Sequence, residues 1–310
     1  MKNLFLTAVI LFFVILFFPL AEFLLPYRGA PHSAAAYARE ITVTVSIPPQ
    51  KYIIDRISGG KINVNVMAPK GSDPHIFSPK AAQIKQLADS ALYLAIGFPF
   101  EDSMIPQISK SFKNLPVIKT QNGITILSED EGYIQATRSD EKKTEKTHWH
   151  SDPHIWTSPK EMATIAENTF KTLVNADPIN RGIYEKNYAA LLEDIRTADR
   201  KFTDLFSNPR ISKKFLVYHP AWSYFARHYD LEQYAVEIDG KPPKAKDLKN
   251  IIEKAKTENI SIFLIQPQLS ASAVNNVTKE LGIKAVSIDI LGEDWLAVMS
   301  QMYSAFSGVF

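Results

Sequence analysis

The stretch NRGIYEKNYAALLEDIRTADRKFTDLFS, residues 180–207, reads as one unbroken helix. Asp177-Pro178 ends whatever precedes it, and Asn208-Pro209 ends the helix itself, because proline lacks the amide proton and clashes with the preceding turn. Its apolar residues Ile183, Tyr184, Tyr188, Leu191, Leu192, Ile195, Phe202 and Phe206 recur near helical spacing, with charge on the opposite face. A helix of this kind is built to bridge two lobes.

On both sides of that helix, short β-rich apolar runs alternate with helical stretches. Before it come strands over 41–47, 62–67 and 91–96, and helices over 50–58, 79–90, 102–112 and 158–176. After it come strands over 215–218, 234–238, 262–265 and 285–288, and helices over 221–229, 246–258, 272–281 and 293–306. Strand–helix alternation at this spacing calls for parallel sheets, so the expected class is α/β: two lobes with helix-flanked parallel sheets, joined by a single long backbone helix. The expected division is residues 1–38 as a signal peptide, 39–178 as the first lobe, 179–207 as the linking helix and 208–310 as the second lobe. Within the first lobe, 129–147 is a run of Glu, Asp, Lys, Ser and Thr, expected to be a mobile solvated loop.

A chain of 310 residues that is 45% hydrophobic has enough apolar surface for two domains, each with its own core. The 35 basic and 33 acidic residues nearly cancel, leaving a net charge of +2 and no global field to recruit nucleic acid or an anionic membrane. Met1-Lys2-Asn3 leads into an apolar run over 4–20, and Ala36-Tyr37-Ala38 supplies a small-residue cleavage site. That pattern predicts export with cleavage near Ala38, or retention as an uncleaved anchor. No cysteine is present, which removes disulfides, thiolate ligands and a lipidated cysteine, and points to a periplasmic location.

The chemistry is carried by an echo. Asp73-Pro74-His75-Ile76-Phe77-Ser78-Pro79-Lys80 returns as Asp152-Pro153-His154-Ile155-Trp156-Thr157-Ser158-Pro159-Lys160. In each copy proline stiffens the backbone before a histidine, and Ser-Pro follows as a cap and first turn for a helix. Ligands of parallel sheets bind outside the carboxyl ends of the strands, and there His219 and Asp289 follow the strands over 215–218 and 285–288 directly. His75, His154, His219 and Asp289 form a nitrogen-rich set of four, the set tetrahedral zinc takes at about 2.0–2.1 Å per imidazole. A third imidazole at 219, where a carboxylate would favour manganese, tilts the choice to zinc. Imidazole must be neutral to ligate, so affinity is expected to fall as pH drops through about 6.5.

Other residues have weaker claims. His148 and His150 are a possible secondary metal site at the end of the charged loop, or simply solvated residues. Glu101 either accepts a hydrogen bond from a ligand histidine or sits as a negative charge at a helix start. Trp156 and Trp222 follow two of the ligands closely and wall the site, unless they are ordinary core. His228 is read as a surface or packing residue inside a helix.

These motifs, together with Ser46-Ile47-Pro48-Pro49, Tyr218-His219-Pro220-Ala221-Trp222-Ser223-Tyr224-Phe225 and Ile288-Asp289-Ile290-Leu291-Gly292, resemble the zinc and manganese substrate-binding proteins of bacterial ABC importers, most closely the periplasmic zinc-binding type. The resemblance runs from about Ile41 to the C-terminus. It implies a metal receptor with a rigid helical backbone, one Zn2+ in the interlobe cleft and delivery to an inner-membrane ABC permease, with Mn2+ or iron the alternative cargo. It further implies a monomer without enzymatic activity, His75 and His154 as first-lobe ligands, and His219 and Asp289 as second-lobe ligands. Cell adhesion belongs to the family only. A zinc hydrolase is the competing class, but four ligands would close the coordination shell that catalysis needs open, and no HExxH pair occurs.

Overall fold

In the computed structural model, the described residues are 41–128, 134–135, 151–238, 240–267 and 271–308. The expected signal peptide, most of the charged loop, and His148 and His150 lie outside them.

The first sheet has four parallel strands in the order β2-β1-β3-β4: β1 (Ile41–Val45), β2 (Ile62–Val66), β3 (Leu92–Ala95) and β4 (Val117–Lys119). Helices α1 (Pro48–Ser58), α2 (Ala81–Ala88) and α3 (Pro99–Ser111) make the crossovers. The second sheet is also parallel, in the order β5-β7-β6-β8-β9, with β6 (Lys214–Val217), β7 (Glu232–Ala235), β8 (Phe263–Ile265) and β9 (Ala285–Ser287). Its edge strand β5 (Ile134–Gln135) comes from before the linking helix and pairs with Tyr234 and Ala235 of β7. The chain thus crosses to the second sheet earlier than the strand–helix alternation implies. Both β4 and β5 escape a reading by pattern because two or three residues are too few to show a period.

Helices α4 (Pro159–Ala176) and α5 (Arg181–Ser207) run between the sheets, and α6 (Ser223–Tyr229), α7 (Ala245–Thr257), α8 (Ala271–Leu281) and α9 (Trp295–Ser307) surround the second one. At 27 residues, α5 is about 40 Å long. It packs against α1 and α4 at one end and α6 and α9 at the other. Tyr184, Leu191, Ile195, Phe202 and Phe206 are its buried residues, while Ile183 is exposed. Polar ties repeat the pattern: Arg56 of α1 donates to Asp194 at 2.5 Å, and His228 and Tyr229 of α6 bond Asp199 at 2.8 and 2.7 Å.

The expectation of one core per lobe is not met. Val43, Val45 and Leu94 of the first sheet belong to the same continuous apolar cluster as Phe202, Phe225 and Phe306 around the second, with α5 running through it. A separate, smaller core contains Leu216, Tyr218, Tyr234, Ile251, Phe263 and Val277. The physical reason is the stripe on α5. It is apolar along its whole length, so burying it draws both halves onto one surface.

Candidate metal centre

Each Asp-Pro-His copy is an Asx turn. Asp73 Oδ1 accepts the backbone amide of His75, and Asp152 Oδ1 that of His154, both at 2.9 Å. A short carboxylate bonding its own chain two residues on fixes the loop more directly than proline does. The helix-cap half of the echo is realised only in the second copy, and there by position alone, with Pro159 in the first turn of α4. The first copy is followed by α2, whose cap is Lys80 with Gln83, and Ser158 caps α4 by position without a side-chain bond.

The two copies then diverge. Asp152 also accepts from His154 Nδ1 at 2.8 Å. No bond to Nδ1 of His75 is seen among the described residues. His154 and Asp152 are each 3% exposed, whereas Ile76, beside His75, is 83% exposed. The second loop is also bolted across the molecule. Tyr224 of α6 donates to the carbonyl of Asp152 at 2.7 Å, Trp156 Nε1 donates to the carbonyl of Ile290 at 2.8 Å, and Trp295 Nε1 donates to that of Trp156 at 2.7 Å.

His219 enters from the loop after β6. The three imidazoles converge: Nε2 of His154 lies 3.1 Å from Nε2 of His75 and 3.3 Å from Nε2 of His219, and the ligand atoms of all three fall within 4.8 Å of one another. They open into a cavity of about 500 Å3 whose wall includes Phe98, Trp156, Glu237, Gln266, Asp289 and Leu291. Phe98 meets His75 edge-on at 5.5 Å between ring centroids, and Trp156 lies 5.4 Å from His154. Burial pushes His75 down to about 2, with the neighbouring His154 and His219 adding to it. Burial also lowers His154, against the pull of Asp152. Burial alone would raise Asp152, but its bonds to His154 hold it below the ordinary carboxylate range. Imidazole nitrogens that converge in this way could hold a metal ion.

Asp289 lines the same cavity, but stands outside the cluster of converging atoms, and its Oδ1 accepts the amide of Leu291 at 3.1 Å. The turn behind it is tight. A Cβ at Gly292 would come within 3.0 Å of the Asp289 carbonyl, so the close approach requires glycine there.

Two expected neighbours of the ligands are elsewhere. Glu101 does not reach a histidine: its carboxylate takes the amides of Ile96 and Gly97 at 2.9 and 2.8 Å and the hydroxyl of Ser46, clamping the loop that presents Phe98. Gly97 adopts φ +100°, which a side chain would resist. Trp222 is not in the cavity wall; its amide donates to Gln233 and its ring packs on Phe225, because α6 starts at the next residue and turns the ring into the core.

The missed residue is Glu237, which bonds His219 Nδ1 at 2.7 Å. It lies two residues past the end of β7, where the strand-end rule that found His219 and Asp289 also applies. Placing the strand over 234–238 hides it inside the strand.

A family model described as zinc-uptake complex component A, periplasmic, matches residues 43–308. Zinc-binding protein AdcA of Streptococcus pyogenes serotype M3 is 25% identical over 280 residues, 84% of this chain and 54% of its own length. The chain therefore spans about half the length of the AdcA relatives it matches. A manganese ABC transporter substrate-binding lipoprotein, scaA of Streptococcus gordonii, is 26% identical over 234 residues, 74% of this chain and 73% of its own length. Among solved structures, a crystal structure of ZnuA aligns with a TM-score of 0.76 and 31% identity, covering 87% of this chain and 98% of that one.

Proposed function

This chain belongs to the zinc-uptake complex component A family of periplasmic substrate-binding proteins, and on that footing we propose that it captures Zn2+ outside the cytoplasm on His75, His154 and His219 and passes it to an ABC permease in the inner membrane. The observation that carries this reading is the convergence of three imidazole nitrogens within 4.8 Å on a wall shared by both halves of the chain. A fourth position falls to Asp289 or to water.

Zinc is favoured over manganese because the third ligand is an imidazole, and harder ions prefer carboxylate oxygen. The AdcA and ZnuA likenesses support zinc, while scaA keeps manganese as the competing cargo. Capture rather than catalysis follows from the family. No helix among the described residues is long and apolar enough to cross a membrane.

The test is a competition titration against a chromophoric chelator with metal-stripped protein. His154→Ala and His219→Ala are each expected to lower zinc affinity at least about 100-fold, each removing one of three or four ligand bonds. The parent is expected to prefer zinc to manganese. Unchanged zinc affinity in both variants would refute the site; preference for manganese would refute the cargo.

A further inference from the structure

Two of the three imidazoles have a carboxylate behind them, one from each half of the chain. Asp152 holds Nδ1 of His154 at 2.8 Å, and Glu237 holds Nδ1 of His219 at 2.7 Å. A carboxylate can only accept, so each Nδ1 carries the proton and each Nε2 presents its lone pair to the cavity. We propose that Glu237 is a positioning residue for metal capture: it fixes the tautomer and aim of His219 and thereby biases the centre toward zinc over manganese. The inference rests on the three-histidine site proposed above.

The backbone makes Glu237 a rigid prop. Beyond β7 the ladder continues for two residues, the amide of Val236 donating to Val217 at 2.9 Å and that of Glu237 to the Tyr218 carbonyl at 3.0 Å. Glu237 therefore sits directly alongside the residue preceding His219. Immediately afterwards Ile238 and Lys241 pair through both amides at 3.0 Å, closing a tight turn with Gly240 at φ +68°. Ladder on one side and turn on the other leave the carboxylate little freedom. Its side chain is 15% exposed and that of His219 is 24%, so the bond forms in partly excluded water, where charge-assisted hydrogen bonds are stronger.

The chemical consequence follows from where the negative charge lies. Placed behind the imidazole, it makes Nε2 a better donor without adding an oxygen to the metal's own shell. Such a shell is rich in nitrogen, which suits zinc, while manganese gains less from imidazole basicity and more from direct carboxylate oxygen. Asp152 does the same for His154, but it is also the hub of the Asx turn, so its removal would disturb the loop as well. Glu237 isolates the effect.

The test compares Glu237→Ala, Glu237→Gln and His219→Ala for zinc and manganese affinity by competition titration, with the visible spectrum of bound Co2+ as a geometric readout. Glu237→Ala is expected to lower zinc affinity by about 10- to 100-fold, the usual cost of losing such a partner. Manganese affinity should fall less, and the Co2+ bands should change. Glu237→Gln keeps an acceptor oxygen for Nδ1–H but not the charge, so it should retain the Co2+ bands and recover only part of the affinity. A structural role alone would move the melting temperature of the metal-free protein and leave the zinc-to-manganese ratio and the Co2+ bands as they are. Zinc affinity within twofold of the parent in both Glu237 variants overturns the proposal, and so does an equal loss for both metals. A larger loss for manganese would put the carboxylate on the metal itself and overturn it too. If Glu237→Ala does not fold, Glu237→Gln alone decides, by reduced zinc affinity with retained bands. Parent-like zinc binding in His219→Ala would instead remove the three-histidine site; loss in His219→Ala with parent-like Glu237 variants removes only the role given to Glu237.

Discussion

His75 and His154 come from the same motif, yet their surroundings set them apart. Both are held neutral by burial, His75 down to about 2. The fall in zinc affinity expected near pH 6.5 from free imidazole is therefore displaced to lower pH for these two ligands, because protons cannot compete for a nitrogen that burial keeps unprotonated. The same shift has a stability sign. In the unfolded chain His75 takes up a proton below about pH 6.5, whereas in the folded protein it does so only near pH 2. The unfolded state thus binds more protons across that window, and the stability of the metal-free protein falls as pH drops below about 6.5. Melting temperatures of the metal-free parent and His75→Gln, measured from pH 7.5 to 5, should diverge, with the parent falling more steeply. Parallel curves would contradict it.

Among the elements, the two histidine loops differ in how they are anchored. The loop of His154 is tied by Tyr224, Trp295 and Ile290 from across the molecule, and the amide of Asp152 donates to Leu127 at 2.8 Å. That of His75 has its own Asx turn, a Ser72–Pro69 bond at 3.0 Å, and an exposed Ile76. Few buried contacts mean low local stability. Zinc should accordingly slow amide hydrogen exchange over residues 70–78 more than over 152–157, which are protected already. Equal protection of both segments would argue against this division. Along α5, Phe202 and Phe206 each meet three aromatic rings from the second half, and Phe202, the more deeply buried of the two, lies 4.9 Å from Phe225, 5.5 Å from Tyr229 and 5.9 Å from Tyr303. Phe202→Ala should cost about 3–5 kcal/mol in chemical unfolding, the range for a buried phenylalanine. A cost below about 1 kcal/mol would mean that α5 is not the joint between the halves.

At the scale of the molecule, one core running through both halves resists large relative motion. Hinge closure needs a few residues to absorb backbone rotation while the packed surfaces on either side stay intact. Here the surface that would have to open contains Val43, Leu191, Phe202 and Phe225 in one cluster, with tryptophan–carbonyl bonds across it. Zinc loading should leave the radius of gyration from small-angle scattering nearly unchanged. A clear compaction would show that the halves close like hinged jaws.

The strand–helix alternation, the unbroken 27-residue helix and the position of His219 after a strand end were all legible in the amino-acid order, because each depends on spacing along the chain. So were His75, His154 and His219 as candidate ligands. Tertiary structure alone decided what lies behind those ligands. Glu237 meets His219 through the β6–β7 pairing, 18 residues apart in the chain, and Glu101 serves the Phe98 loop instead of a histidine. It also decided that two sheets share one core and that β5 crosses to the second. Local sequence encodes the period of each element. Which carboxylate faces which imidazole, and whether two sheets bury one surface or two, depends on distances across the chain that no local period contains.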